Sequence, residues 1–304
     1  MAAGGFVRLA GRKWLHESDW RDRDFLATDI SRARFQRHRL QVSGNAYFLD
    51  TLFSSNFGHW LSDELPRLAG ALPFLPADTR FVVSDPVEPF KLESLAALNI
   101  GCDRLLPVKG FYQINFEKLW YATPTNDMAW NPVAVQNVRK ALLQTYGNEA
   151  GPSAEKLYVS RGNVRWKRLD NEEELLPIIQ QHGFKIVHPQ ELTFPQQIQA
   201  FARASVVMGA YGAGLTNVMF CQPQANLVEL QDAHYAPRPW YWKWATMLGL
   251  NYHSLTGPMI ENRVDYLDTR FSISLDSLAK WLESNSLVPS EPQALLNRQN
   301  TALI

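Results

Sequence analysis

The chain has 304 residues, of which 46% are hydrophobic, and its 30 basic residues balance 30 acidic ones to a formal net charge of zero. This length accommodates two domains of ordinary size, and the neutral balance argues against a general nucleic-acid binder, which carries a basic surplus. No apolar run reaches the roughly 20 residues needed to span a bilayer, and the start lacks the apolar core of a signal peptide.

The first half of the chain alternates between predicted strands and helices, after a charged and irregular stretch over residues 1–45. Basic density between Arg32 and Arg39 fits either a solvated face or a peripheral contact with acidic membrane lipid. Strands are predicted near 46–49, 80–84, 105–108 and 118–122, and helices near 56–72, 88–98 and 132–146. Strands and helices in turn predict an α/β layer.

The second half follows a probable linker at 147–153, a segment dense in turn-forming residues. Asp170 or Asn171 can cap a helix that ends at His182, and Thr193 can cap the next, which runs to about Ala204. Further strands are predicted near 156–160, 184–187, 206–208 and 226–230, with a last helix near 274–284. Such βαβ units form a parallel sheet. We predict one domain over 1–146, a second over 154–270, and a C-terminal helix and tail over 271–304 that can cross back to the first.

A glycine turn is the most specific local signal. The stretch from Val206 to Asn217 passes from a strand-like run into Gly212-Ala-Gly214 and then into residues able to start a helix. Glycines allow close backbone approach, and the N–H groups at a helix start bind phosphate. Asn217 stands where a dinucleotide fingerprint has its third glycine, while Glu229 ends the next strand and can accept from ribose hydroxyls. A tight structural turn is the alternative interpretation.

A second candidate site lies on the helix predicted near 56–72. His59 and Asp63 are four residues apart and share one helical face, an arrangement that supplies a general base. Asp63 and Arg67 are also four apart, so an ordinary surface ion pair is the competing interpretation. Pro66 removes a helical hydrogen bond and is expected to bend the helix where these groups project.

Arginines follow the strand predicted near 156–160. Arg161, and after it Arg168, can neutralise a diphosphate by bidentate hydrogen bonds. Asp22-Arg-Asp24 matches the D-x-D pattern of metal-dependent sugar-nucleotide enzymes, but it stands in a charged context without strand character. No metal site is therefore expected.

Together these motifs resemble glycosyltransferase family 61, the DUF563 group, in a bacterial capsular or exopolysaccharide type. The resemblance lies in Asn56-Phe-Gly-His-Trp with Asp63 and Pro66-Arg67, then Ser160-Arg161 and Asn171-Glu172-Glu173, then Gly212-Ala-Gly-Leu-Thr-Asn217 and Glu229. It implies a GT-B fold, in which two Rossmann-like domains face each other across a cleft, and inverting transfer from a nucleotide sugar.

The same resemblance assigns roles. Arg161 and the turn would hold the donor diphosphate, Glu229 would lie near the ribose, and His59 and Asp63 would lie on the acceptor side. The turn comprises Gly212, Ala213, Gly214, Leu215, Thr216 and Asn217. The chain departs from the family at Tyr211, where a histidine is usual; a tyrosine can replace a hydrogen bond but not a positive charge.

We therefore predict a hexosyl- or pentosyltransferase that moves a sugar from a nucleotide-sugar donor to a polysaccharide or glycolipid acceptor, with Asp63 or His59 as the base. No obligatory metal or other cofactor and no nucleic-acid partner are expected, and oligomerisation is left open. The aromatic segment Trp240-Tyr-Trp-Lys-Trp244 suits a glycan acceptor, with ordinary core and interface packing as the alternative. The two cysteines, in no metal or redox spacing, indicate a cytoplasmic protein, with a peripheral membrane contact left open.

Two alternative functions stay open. One is an NAD(P)-dependent oxidoreductase that uses the G-x-G turn, and the other is a catalytically silent relative that binds sugar nucleotides.

Overall fold

The computed structural model describes residues 39–49, 54–108, 113–122, 130–147, 154–162, 169–234, 236, 239–262 and 269–285. The chain divides into a first unit of Met1–Asn148, Gln190–Gln199 and Gly212–Thr216, and a second unit of Glu149–Pro189, Ala200–Tyr211 and Asn217–Ile304. The predictions for Asp22, Asp24, Arg168, residues 148–153 of the linker and the tail over 286–304 lie outside the described residues. Across the described ranges, no helix combines the length and apolar character needed to cross a membrane.

The first unit contains a parallel four-stranded sheet with helices between its strands. Its elements are β1 (Arg39–Phe48), α1 (Phe57–His59, Trp60–Glu64 and Leu65–Ala71 in succession), β2 (Arg80–Ser84), α2 (Pro89–Ala97), β3 (Leu105–Val108), β4 (Gln113–Trp120) and α3 (Pro132–Tyr146). The strand order is β3-β2-β1-β4, and each neighbouring pair is parallel. Strands β2 and β3 therefore lie on one side of β1 and β4 lies on the other, so the strand order reverses between β1 and β4.

Strand β1 begins at Arg39, so the prediction that residues up to 45 are irregular is wrong for 39–45. The turn-forming segment around Gly44 suggested a break in the sequence. In the structure a bulge absorbs it: the register with β4 shifts between Val42 and Asn45, and Gly44 takes a φ of +73°. A bulge accommodates an extra residue and a left-handed backbone within a continuous strand.

Helix α1 contains a π-helical stretch at Trp60–Glu64, where the Leu65 N–H bonds to the Trp60 carbonyl. Pro66 follows in the first turn of the final α-helical segment. Proline has no N–H and its ring crowds the carbonyl four residues earlier, so a widened turn before it relieves both problems. The bend expected at Pro66 thus takes the form of a π stretch, and this stretch contains Asp63.

The second unit contains a parallel five-stranded sheet. Its elements are β5 (Glu155–Val159), α4 (Glu172–Gln181), β6 (Phe184–Val187), α5 (Phe194–Ala202, whose start belongs to the first unit), β7 (Ala204–Ala210), a 3₁₀ helix (Ala213–Phe220, whose start also belongs to the first unit), β8 (Asn226–Asp232), α6 (Pro239–Leu248), β9 (Asn251–Gly257), β10 (Met259–Asn262), β11 (Thr269–Phe271) and α7 (Leu275–Ser284). The order β6-β5-β7-β8-β9 is parallel throughout. The predicted α/β class with two Rossmann-like parallel sheets is confirmed.

Two predicted helix caps have different outcomes. Thr193 caps α5 as predicted, since its Oγ1 accepts from the Gln196 N–H while the Gln196 side chain accepts from the Thr193 N–H. The prediction that an Asp170 or Asn171 side chain caps α4 is wrong, although the helix begins where it was predicted. Asn171 takes the N-cap position without a side-chain cap, and its amide instead exchanges two hydrogen bonds with the Ile273 backbone. Asp170 pairs with Arg270.

The C-terminal helix α7 packs within the second unit, where Leu278 and Leu282 join a buried cluster that includes Leu175 and Ile179 of α4. These contacts account for the apolar stripe of α7. A return of the chain to the first domain stays a prediction for the tail over 286–304.

The aromatic segment of α6 does not form the surface expected from the sequence. Tyr241 and Trp244 are buried, three residues apart on the core-facing side, whereas Trp242 is 52% exposed. Helical periodicity divides the aromatic residues between core and surface. An aromatic glycan-binding face over Trp240–Trp244 is therefore not present as predicted.

A buried ion pair fixes α1 to the first sheet. Arg67 bonds to the Glu64 carboxylate, and the two side chains are 7% and 2% exposed. The same guanidinium donates to the carbonyl of Leu49, after β1, at 2.8 Å and to that of Ala122, after β4, at 3.0 Å. Burial opposes the charge of Arg67, but the Glu64 carboxylate, together with Tyr47 and Tyr121, raises the pKa of Arg67. Arg67 therefore pairs with Glu64 rather than with Asp63 as in the surface ion pair considered above.

Removing the Glu64 charge should destabilise the first unit strongly, because Arg67 would remain charged in a buried position. We expect Glu64→Gln to lower the free energy of unfolding by about 3–5 kcal/mol, measured by urea denaturation. Glu155→Gln is the matched control, because Glu155 pairs with the more exposed Lys185 and Arg203 and should lose no more than about 1 kcal/mol. Equal losses in the two variants would contradict this role of Glu64.

Candidate functional site

His59 and Asp63 form a hydrogen-bonded pair on α1. His59 Nδ1 lies 2.7 Å from Asp63 Oδ2, and the two side chains are 33% and 34% exposed. The indole Nε1 of Trp130 donates to Asp63 Oδ1 at 2.9 Å. Both carboxylate oxygens of Asp63 are therefore engaged, one by the imidazole and one by the indole. This geometry orients the imidazole so that Nε2 is the nitrogen able to accept a proton from a ligand.

The start of α1 lies against the glycine turn, within the first unit. Asn56 caps the helix, since its Oδ1 accepts from the N–H groups of Gly58 and His59. A β-carbon added at Gly58 would lie 3.1 Å from Thr216 Oγ1 and 3.3 Å from Ala213 Cα. Only glycine allows this approach without displacement of the turn. The predicted phosphate-binding turn therefore lies beside the helical residue that precedes His59.

The glycine turn continues into the 3₁₀ helix Ala213–Phe220 rather than an α-helix. Its first hydrogen bond joins the Leu215 N–H to the Gly212 carbonyl at 2.9 Å. Asn217 is fully buried and Thr216 nearly so. Gly212 is buried as well, so the partly exposed residues of the predicted phosphate-binding turn are Ala213 and Gly214.

A cavity of about 410 Å³ opens beside Asp63 in the first unit. Its walls come from α1 and the helical turn after it, from the ends of β1 and β4, and from the start of α3. Aromatic residues dominate this lining: Tyr47, Phe74, Trp120, Tyr121 and Trp130. The volume lies within the roughly 300–1,000 Å³ that ligand pockets span. Charged groups enter the described lining only through Asp63 and Arg67.

Arg161 and Tyr211 meet in the second unit, at the carboxyl ends of β5 and β7. Arg161 Nη1 donates to the Tyr211 carbonyl, and the Tyr211 ring packs edge-on against Tyr241, with ring centroids 5.4 Å apart. Glu172, at the start of α4, accepts from the Arg161 N–H and from the Tyr158 hydroxyl. Burial lowers the pKa of Arg161, yet a guanidinium stays charged at neutral pH.

Strands β5 and β7 flank the point where the second sheet reverses its strand order, since β6 lies on one side of β5 and β7, β8 and β9 on the other. Ligands of open parallel α/β sheets bind at the carboxyl ends of the strands at such a switch point. Arg161 and Tyr211 therefore occupy the expected ligand position of this sheet.

Glu229 lies within β8 and is fully buried, and its Oε2 accepts from the Tyr252 hydroxyl at 2.6 Å. Burial raises the pKa of Tyr252, so its hydroxyl stays protonated and remains a donor. The ribose contact proposed for Glu229 stays a prediction. Within the described ranges, no three histidine, cysteine, aspartate or glutamate side chains are grouped to hold a metal ion.

Sequence reasoning missed several residues of this region. Trp120 and Trp130 stand in segments without a recognisable motif, so only their position in space associates them with Asp63. Gly58 carried a signal, because it stands between a helix-capping asparagine and the candidate histidine. A glycine there is costly for a helix, which indicates a close approach.

The fold was compared with solved structures. The chain is similar to E. coli heptosyltransferase WaaC with ADP, at 12% identity and a TM-score of 0.38 over 81% of this chain and 97% of that one. It is also similar to E. coli heptosyltransferase WaaC with ADP-2-deoxy-2-fluoro heptose, at 13% identity and a TM-score of 0.36 over 82% and 100%. TM-scores this low carry no conclusion about ligand or activity. No curated protein matches the chain.

The family model of Glycosyltransferase 61 matches residues 57–228, which is more than half of the chain. The match begins at the first residue of α1 and ends within β8, so it includes the His59–Asp63 pair, Arg161 and the glycine turn. It confirms the family predicted from the sequence and favours a transferase over an NAD(P)-dependent oxidoreductase. The chain therefore belongs to the glycosyltransferase 61 family.

Proposed function

We propose that this protein is an inverting glycosyltransferase of the GT-B type that transfers a sugar from a nucleotide-diphosphate donor to a hydroxyl of a polysaccharide or glycolipid acceptor. The observation that carries the proposal is the 2.7 Å contact between His59 Nδ1 and Asp63 Oδ2. It supplies an oriented base beside the glycine turn predicted to bind phosphate, in a chain whose family transfers sugars.

His59 is the base in this proposal, and Asp63 orients it. Each oxygen of the Asp63 carboxylate already accepts a hydrogen bond, from His59 or from Trp130. Both oxygens are thus engaged before an acceptor hydroxyl approaches. The same carboxylate stabilises the imidazolium that forms when His59 takes a proton.

In the reaction, the acceptor oxygen forms a bond to the anomeric carbon while the bond from that carbon to the diphosphate oxygen breaks. The acceptor proton passes to His59 Nε2, and the electron pair of the broken bond leaves with the nucleoside diphosphate. Attack opposite the leaving group inverts the anomeric configuration. Groups that meet charge developing in the transition state supply the acceleration.

Arg161 is the proposed partner of the donor diphosphate. It lies at the switch point of the second sheet, and its guanidinium can form the paired hydrogen bonds that phosphate oxygens accept. Tyr211 carries no charge, and its carbonyl accepts a hydrogen bond from Arg161. The positive charge at the switch point therefore comes from Arg161. The donor roles of Gly212–Asn217 and Glu229, and independence from metal, stay predictions. A cytoplasmic location is proposed because neither Cys102 nor Cys221 is part of a disulfide.

Loss of the base should lower turnover. We expect His59→Ala to reduce kcat about 10²–10⁴-fold, because the variant lacks the imidazole that takes the acceptor proton in this proposal. Turnover of the wild type and of His59→Ala is measured with saturating donor, so that a change in donor binding does not contribute.

Asp63→Asn should also lower kcat, about 10²–10⁴-fold, since the amide has one acceptor for the two donors of His59 and Trp130 and loses the charge that stabilises the imidazolium. Asp103→Asn is the matched control, an exposed aspartate of the first unit, and it should leave kcat unchanged. A kcat that is retained in His59→Ala but lost in Asp63→Asn would transfer the base role to Asp63.

Arg161→Ala should weaken nucleoside diphosphate binding about 10–100-fold, the value of one or two charge-assisted hydrogen bonds. Calorimetric titration with UDP, GDP and ADP would measure this, with Arg161→Lys as a variant that keeps charge but loses the planar fork. Lys185→Ala removes a cation from an exposed position of the same unit and serves as the control. Unchanged binding in Arg161→Ala would exclude Arg161 from the donor site.

A further inference from the structure

The cavity beside Asp63 lies at the switch point of the first sheet. The order β3-β2-β1-β4 reverses at β1, and the cavity is lined by Tyr47 from the end of β1 and by Trp120 and Tyr121 from the end of β4. A crevice at the carboxyl ends of parallel strands, where their order reverses, is the ligand position of such a sheet. The topology thus indicates a second ligand site, separate from the one at Arg161.

Hydrogen bonds hold the two tryptophans of the cavity in place. The indole of Trp120 donates to Asn45 Oδ1 at 3.0 Å, and the Asn45 amide in turn donates to Asp78 at 2.9 Å. The indole of Trp130 donates to Asp63. A preformed aromatic wall loses little side-chain entropy on binding. Trp120 is 37% exposed, so its ring is accessible to a ligand.

The chemistry of the wall favours a sugar ring. The face of an aromatic ring is electron-rich, and the C–H bonds on one face of a pyranose carry partial positive charge, so the two surfaces stack. The Asp63 carboxylate, on the same wall, can accept a hydrogen bond from a hydroxyl of the ligand. Ser62 adds a buried hydroxyl that has no hydrogen-bond partner within the described ranges. A ligand with one apolar face and a hydroxylated edge matches this combination.

The charges of the wall favour a neutral ligand. The Arg67 guanidinium is neutralised by Glu64 and bonded to two backbone carbonyls, and it also lies over the Tyr121 ring at 5.4 Å from its centroid. Asp63 then leaves the described lining with a negative bias. Asp63 would repel a ligand that carried a carboxylate close to the hydroxyl that approaches the cavity.

We propose that this cavity is the acceptor subsite and that it binds a neutral pyranose, stacked on Trp120, with one hydroxyl directed to the His59–Asp63 pair. This inference rests on the proposed function and deepens it by naming the acceptor class. The same pyranose can belong to a soluble glycan or to the headgroup of a glycolipid, and both present the same ring to the wall.

Saturation-transfer NMR tests the cavity directly, without reference to turnover. The probes are methyl β-glucopyranoside, methyl β-galactopyranoside and methyl β-glucuronide, with octyl β-glucopyranoside below its micelle concentration as the glycolipid arm. We expect the neutral pyranosides to bind wild type, the glucuronide to bind more weakly, and Trp120→Ala to lose about tenfold in affinity. Trp120→Phe should keep most of the binding, and Trp242→Ala, an exposed tryptophan of α6, should keep all of it.

Equal binding of methyl and octyl glucosides would support a soluble glycan, and binding of the octyl compound alone would support a glycolipid headgroup. No binding of any neutral pyranoside to the wild type, or equal binding to wild type and Trp120→Ala, would overturn the proposal. Thermal unfolding of Trp120→Ala and Trp120→Phe checks that both variants fold.

Once an active donor is known, kinetics separate this inference from the proposed function. Trp120→Ala should raise the acceptor KM about tenfold while the donor KM stays unchanged. Absence of transfer or donor hydrolysis by the wild type with any nucleotide sugar would count against the proposed function, whereas the NMR result would still decide the cavity.

Discussion

The buried pair of Arg67 and Glu64 is the constraint on which the first unit's candidate site depends. A guanidinium taken out of water needs a counter-charge and hydrogen-bond acceptors, and Arg67 finds both by bonding Glu64 and the two carbonyls that follow β1 and β4. These bonds attach α1 to the sheet at the point where its strand order reverses. The position of Asp63, one residue before Glu64, is determined by the same attachment.

The π-helical stretch contains both carboxylates of this region. Asp63 and Glu64, neighbours in the chain, lie in different environments: Glu64 is buried against Arg67, and Asp63 is one-third exposed between His59 and Trp130. π-helical insertions occur often at functional sites, and here Pro66 supplies the local cause. One carboxylate therefore stabilises the fold while the next orients a candidate base, and the two tasks do not compete.

Both sheets use the same topological rule for different chemistry. A parallel sheet whose strand order reverses leaves a crevice at the carboxyl ends of two adjacent strands, which helices on opposite faces do not fill. In the second unit this position holds Arg161 and the carbonyl of Tyr211, which suits an anionic ligand. In the first unit it is lined by aromatic rings and a carboxylate, which suits a hydroxylated neutral one. That difference in lining supports separate donor and acceptor roles.

Local signals alone determined much of the fold. Asn131 followed by Pro132 predicts the start of α3 at the residue where the structure begins it, and Thr193 predicts the cap of α5, because these signals act within one helical turn. The family was also predictable, because the order of its motifs along the chain is specific even though each motif is short. Conversely, β1 was shortened in prediction because the bulge at Gly44 is stabilised by its neighbouring strand rather than by its own residues.

Only the tertiary structure decided which groups act together. The sequence proposed Asp63 as a partner for either His59 or Arg67, and spacing cannot choose between them. Burial decides, since the counter-charge that Arg67 needs is supplied by the buried Glu64. Trp120 and Trp130 likewise join Asp63 through segments distant in the chain, and Trp244, expected at a surface, is buried by the face that α6 presents to the core. Sequence determines local backbone preference and family, whereas desolvation and packing, which depend on the whole fold, select the partners of each charge and ring.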